Sequence, residues 1–95
     1  MKNNYFVDPF LKILPTLDLH GETSDSAVWL VKDFINMHQK LGNNKVAIIH
    51  GRHSDIIKKA IHKYLRTEKK ATKFYIYAGN GGVTIVEIAP LVKLL

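Results

Sequence analysis

The chain contains no cysteine. That excludes disulfides, thiolate nucleophiles and cysteine-ligated zinc, and it fits a reducing compartment. No apolar run approaches the roughly 20 residues that a membrane-spanning helix needs, so no membrane association is expected. The opening Met1-Lys2-Asn3-Asn4 lacks the apolar stretch of a secretory leader, and the cytoplasm is the expected location. Proline is scarce, and two of the three prolines, Pro9 and Pro15, sit close together near the start. Acidic side chains are also in deficit: 8 Asp and Glu against 14 Lys and Arg leave a formal charge of 14 − 8 = +6, with five histidines in reserve. A basic balance in a small domain favours polyanionic partners, nucleic acid above all.

What is present suits one folded unit. With 95 residues, 46% of them hydrophobic and 23% charged, the chain has enough for one modest core and no room for a second. The prolines argue against a long helix over residues 1–15, which reads instead as an extended strap carrying Phe10, Leu11, Ile13 and Leu14 onto the domain. Leu17-Asp18-Leu19-His20 alternates as a short half-buried strand does, and Gly21 ends it. Thr23 or Ser24 then caps a helix whose apolar stripe is Ala27, Leu30, Val31, Phe34, Ile35 and Leu41. Val46–Ile49 is a continuous apolar run, the pattern of a central strand, and it ends in His50-Gly51. Ser54 and Asp55 open a second helix with Ile56, Ile57, Ala60, Ile61, Tyr64 and Leu65 inward and Lys58, Lys59, His62, Lys63 and Arg66 outward. Residues 74–78 and 83–88 read as strands joined through Gly79-Asn80-Gly81-Gly82, a hairpin signal.

The order is β-α-β-α-β-β. It predicts an α/β (α+β) two-layer sandwich: a four-stranded mixed sheet, two helices on one face, and a last strand made antiparallel by the Gly-rich hairpin. The other sheet face is expected to stay open. The domain proper spans 16–88, with a short tail at 89–95.

The chemistry concentrates where two strands end in the same way, His20-Gly21 and His50-Gly51, each leading into a helix. Ligand crevices of α/β sheets lie at the carboxyl ends of parallel strands, and helix N-termini there favour phosphate. Two imidazoles at such an edge suit acid–base cleavage of a phosphodiester, although a histidine at a strand end more simply bonds loop backbone. Asp18, two residues before His20, is placed to orient its ring or to cap a neighbouring loop. Arg52 follows as a candidate phosphate clamp. His53 is a third imidazole and, with His20 and His50, an alternative zinc set. Lys58 and Lys59 on the second helix extend the candidate phosphate surface, or are simply its solvated face; Lys73 with Tyr75 and Tyr77 on the third strand offers a surface for stacked bases, although cross-strand packing of the rings is the simpler reading.

The motifs resemble those of the Smr (small MutS-related) domain family. Leu17-Asp18-Leu19-His20-Gly21 is similar to its LDxHG signature. Ile49-His50-Gly51 is similar to the start of its HGxG motif. Gly79-Asn80-Gly81-Gly82-Val83-Thr84 is similar to its Gly-rich turn followed by Val or Ala and then Thr. The resemblance covers about residues 16–88, with His53 and Asn80 standing where the family usually has glycine. It implies a sandwich like the C-terminal domain of a bacterial translation initiation factor. It also implies nicking or cleavage of DNA or RNA, or binding of their branched or structured forms.

By motif position Asp18 and His20 correspond to the residues tied to cleavage, and His50 and Gly51 to the second motif. The expected catalytic set is therefore Asp18, His20 and His50. The expected nucleic-acid-binding set is Gly21, Gly51, Arg52, His53, Ser54, Lys58, Lys59, Lys73, Gly79, Asn80, Gly81 and Gly82. No cofactor is required by this reading, a divalent metal is compatible with it, and a monomer is expected. The alternative is a module that binds DNA, RNA or the ribosome without cutting.

Overall fold

In the computed structural model, which describes residues 9–53, 55–79 and 81–91, the elements run α1 (Pro9–Lys12), β1 (Thr16–Asp18), α2 (Ser24–Lys40), β2 (Lys45–Ile49), α3 (Asp55–Leu65), β3 (Ala71–Ile76) and β4 (Val83–Ile88). The four strands form one mixed sheet in the order β1-β2-β4-β3. β1 and β2 are parallel, with Asp18 level with Ile49. β4 is antiparallel to both of its neighbours, β2 and β3. The two-layer arrangement predicted from the element order is therefore present. Among the described residues no helix is long and apolar enough to cross a membrane.

Local chemistry explains the boundaries. The Ser26 amide donates to Thr23 Oγ1 at 3.2 Å while the Thr23 amide donates to Ser26 Oγ at 3.1 Å, a reciprocal cap that settles two orphan donors at the start of α2. The helix ends at Leu41, whose amide donates to Met37. β4 is buried at five of its six positions because it is an interior strand with both faces covered. Its even-numbered residues, Val86 and Ile88, join Val46 and Ile48 of β2 under the helices, where Val31, Ile35, Ile61 and Leu65 complete the main core. The alternation follows from the period-two geometry of strands.

Three expectations are corrected. First, the segment between the prolines is helical at Pro9–Lys12 rather than extended. Proline is tolerated in the first turn of a helix, where its missing N–H costs nothing, and Pro15 halts any continuation. Residues 1–8 of the expected strap lie outside the described residues, as do 92–95 of the expected tail. Second, the sheet face away from α2 and α3 is not left open. Leu11, 6% exposed, and Leu14 pack with Tyr75 and Tyr77 over Ala47, Ile49, Val83 and Ile85, a second and smaller core. Third, Ile56 and Leu41, assigned to apolar stripes, are 75% and 66% exposed. Ile56 lies about 100° around the helix from buried Ile57, and Leu41 is the cap residue beyond the last turn.

The second core yields a test. Leu11→Ala should lower the free energy of unfolding by about 2–3 kcal/mol, measured by urea titration. Ile13→Ala, at a site 75% exposed, should stay within about 0.5 kcal/mol of the parent.

Candidate functional site

Three loops meet at one sheet edge because the register brings them there. Leu19 N–H donates to the Ile49 carbonyl at 2.8 Å, so β1 and β2 end level. The His50 and Gly51 amides both donate to the Gly82 carbonyl, at 2.9 and 3.0 Å, tying the loop after β2 to the turn before β4. The segments that follow β1 and β2 and the β3–β4 connection therefore share the carboxyl edge of the parallel pair. Gly21 and Gly51 each turn the chain at positive φ, 83° and 91°, a conformation that costs residues with a Cβ about 1 kcal/mol or more. Gly79 lies close against Tyr77: a Cβ there would sit 2.9 Å from the tip of the ring, which would have to shift. Gly81 is exposed and Gly82 buried. Ser54 and Asn80 lie outside the described residues.

The first His-Gly step is open. His20 is exposed, and its amide donates to Asp18 Oδ1 at 2.9 Å. Asp18 thus closes a turn of Asx type, bonding backbone two residues on, instead of reaching the imidazole. β1 stops at Asp18, so the strand alternation that would put both side chains on one face ends before His20.

The second His-Gly step is closed. His50 is only 3% exposed. Its Nε2 lies 2.8 Å from Thr84 Oγ1, and its Nδ1 lies 3.3 Å from the Gly51 carbonyl. His62 Nε2 also lies 2.8 Å from Thr84 Oγ1. A carbonyl only accepts, so the 3.3 Å contact favours a His50 proton on Nδ1, with Nε2 then accepting from the threonine hydroxyl. That hydroxyl has one proton, so His62 must donate its Nε2–H to the same oxygen. The chain of donors runs His62 to Thr84 to His50 to Gly51.

Burial is the first cause that holds both imidazoles below their ordinary 6.5. For His50 the Gly51 carbonyl works against it and the Lys58 ammonium with it. For His62 the neighbouring His50, Lys58 and Arg66 add to the effect.

His62 was expected on the outer face of α3. It instead lies between the T-shaped contacts of His50, 6.1 Å between ring centroids, and Phe74, 5.1 Å. Its place beside Ile61 in the apolar stripe was the available signal, masked by Lys58 and Lys63 around it. Nothing in the spacing of residues 62 and 84 hints that they meet.

The basic candidates divide. Arg52 and His53 are exposed in the loop after Gly51. Lys58 and Lys59 both approach Asp55, at 3.4 and 3.6 Å, on the exposed first turn of α3, and the two ammonium groups hold that carboxylate below its usual range. Lys73 is not brought to the edge. Its Nζ lies over the Tyr75 ring, 5.5 Å from the centroid, and it stands four residues before Tyr77, about 13 Å back along the strand direction at ~3.3 Å per residue. For the zinc alternative, His50 commits both ring nitrogens to protein partners, and among the described residues no three His, Asp or Glu side chains gather as a metal ion requires.

Known proteins resemble this chain in sequence and in fold. A family model described as the Smr domain matches residues 17–89. The chain is 40% identical over 79 residues to a protein called endonuclease MutS2 from Caldanaerobacter subterraneus, covering 80% of this chain. It is 36% identical over 78 residues to one of the same name from Ligilactobacillus salivarius, covering 78% of this chain. The match occupies about 10% of the length of each of those relatives. Among solved structures, the Smr domain of Thermus thermophilus MutS2 superposes with a TM-score of 0.77 at 29% identity, covering 81% of this chain and 100% of that one. The stand-alone small MutS-related protein YdaL from Escherichia coli shares the fold, with a TM-score of 0.70 at 22% identity over 77% of this chain and 63% of its own.

The imidazole pair sets a pH dependence. An unfolded chain takes up protons on both histidines near 6.5, whereas the folded chain resists until lower pH. The stability contributed by the neutral pair is therefore present above that value and lost as pH falls through it toward the lowered folded pKa values. Thermal unfolding should be nearly constant from pH 8 to 7 and decline between pH 6.5 and 5. In His62→Gln, which cannot titrate, the decline should be visibly shallower.

Proposed function

The chain belongs to the Smr domain family, and from that membership we propose that it is a nucleic-acid-binding domain of the endonuclease type, acting at its loop-lined sheet edge on structured or branched DNA or RNA. The observation that carries this reading is the meeting of the Asp18–Gly21 turn, the His50–Arg52 loop and the Gly-rich β3–β4 connection at one edge. Exposed imidazoles and a guanidinium, and the N-termini of α2 and α3 there, suit a phosphodiester.

In this reading His20 does the proton work. It takes a proton from water or a ribose hydroxyl as that oxygen attacks phosphorus, and the leaving oxygen is protonated from solvent. Asp18 fixes the turn that presents His20. His50, its ring nitrogens occupied, serves by holding the Gly51 loop rather than as a second acid–base group. Arg52, with His53 beside it, clamps the phosphate. Lys58 and Lys59 add attraction, which Asp55 partly offsets. The relatives named as endonucleases support the reaction class.

A second reading has its own observation. Asp18 bonds backbone instead of the imidazole, so no Asp–His dyad forms. That favours a module that grips nucleic acid without cutting it.

Cleavage of labelled branched DNA and structured RNA separates the two. On the first reading the parent nicks, His20→Ala loses about 10²–10⁴-fold in rate, and binding is retained. Arg52→Ala should weaken binding to every sequence and reduce the slope of log affinity against log salt by about 1. Salt-dependent binding with no product in any lane would establish the binding module and remove the catalytic role from His20.

A further inference from the structure

Of the histidines at this end of the fold, one that no motif contains, His62, is linked through Thr84 and His50 to the loop of the second His-Gly step. We propose that His62 is a positioning residue for the candidate edge: acting through Thr84, it sets which nitrogen of His50 carries the proton and so holds Gly51 and the loop behind it in their working conformation. This rests on the nucleic-acid reading for its purpose and not for its geometry.

The argument starts from donor and acceptor counts. Thr84 Oγ1 stands 2.8 Å from two imidazole nitrogens and has one proton to give. Taken alone, Thr84 is equally able to donate to His50 or accept from it, because a hydroxyl rotates to suit its partner. With His62 Nε2–H donating into the oxygen, the remaining proton points at His50. His50 Nε2 then has to accept, its proton is confined to Nδ1, and Nδ1 faces the Gly51 carbonyl. That carbonyl belongs to the residue turned at φ 91°, and the Gly51 amide is held by Gly82. A reversed chain would set the bare His50 Nδ1 against a carbonyl oxygen, two acceptors 3.3 Å apart.

The surroundings support a fixed direction. His50 and Thr84 are 3% and 0% exposed, so water does not compete as it would at the surface. His62 is held edge-on against Phe74, which limits its ring to few orientations. The titratable groups around the pair are the Lys58 and Arg66 cations of α3, and both favour neutral imidazoles, the state this chain of donors requires.

Two substitutions separate the donor from the packing. His62→Phe keeps a ring against Phe74 and removes the N–H. His62→Gln removes the ring and restores an amide donor toward Thr84. The measurement is ring-nitrogen NMR on the full chain near pH 7.5, with the Gly51 amide shift recorded alongside.

In the parent, His50 should be the Nδ1–H tautomer and His62 the Nε2–H tautomer. In His62→Phe, His50 should lose its single tautomer and the Gly51 amide should move. In His62→Gln both should return toward the parent. Affinity for branched DNA or structured RNA should fall roughly threefold to tenfold in His62→Phe, the worth of one hydrogen bond, and recover in His62→Gln.

An Nε2–H tautomer of His50 in the parent would overturn the proposal. So would unchanged His50 signals in His62→Phe, or a glutamine variant no closer to the parent than the phenylalanine one. If the NMR changes occur but the parent binds no nucleic acid, the proposed function fails while the positioning by His62 stands, since ring and amide signals report it without a ligand.

Discussion

The Gly82 carbonyl accepts two amides, those of His50 and Gly51, and the organisation of the sheet edge depends on that pair of bonds. They close the β2–β4 ladder just beyond Ile49 and Val83. They also anchor the loop that leaves β2 to the turn that enters β4. Because Thr84 is two residues past Gly82, the same register places its hydroxyl against the His50 ring. A slip of one residue would send every β4 side chain to the opposite face, moving Thr84 into the small core and Val83 under the imidazoles. The five-residue pairing of β2 with β4, covered on both faces, is what prevents it.

Two histidine-glycine steps that look alike along the chain do different physical work. At His20 the chain leaves the sheet one residue earlier, so the imidazole stands in solvent and Asp18 satisfies only its backbone. At His50 the ring lies between β4 and α3, where an unpaired polar atom would cost about 1–3 kcal/mol, and both nitrogens find partners. The glycine serves the same purpose in each, a left-handed turn that leads the chain toward the next helix. Of these two imidazoles, that of His20 is exposed at the edge and that of His50 is built into the wall behind it.

Charge reinforces the division. The exposed residues after Gly51 are basic, and the first turn of α3 adds two lysines tempered by Asp55. Those pairs are solvent-exposed and contribute little to stability. Behind this surface, Lys58 also helps keep the buried imidazoles neutral, so one side chain serves both layers. The domain accounts for about 10% of the length of the MutS2 relatives it resembles.

Periodicity and punctuation were enough to determine the architecture. The strand propensity of residues 83–88, the 3.6-residue stripe of α2, and the glycines at 21, 51, 79, 81 and 82 each state a local preference that packing then satisfies, and the three motifs could be read in order. Locally encoded features such as these survive in any fold that respects them. The sequence did not determine what the side chains meet. Asp18 has a backbone partner because β1 ends where it does. Leu11 is buried because a short helix folds under a face that strand patterns alone leave open. His62, Thr84 and His50 form one chain of donors only because β2, β4 and α3, separated by up to 34 residues in sequence, are brought into register. Hydrogen bonds of that kind depend on distances of a few tenths of an ångström between distant segments, and only the tertiary structure sets those distances.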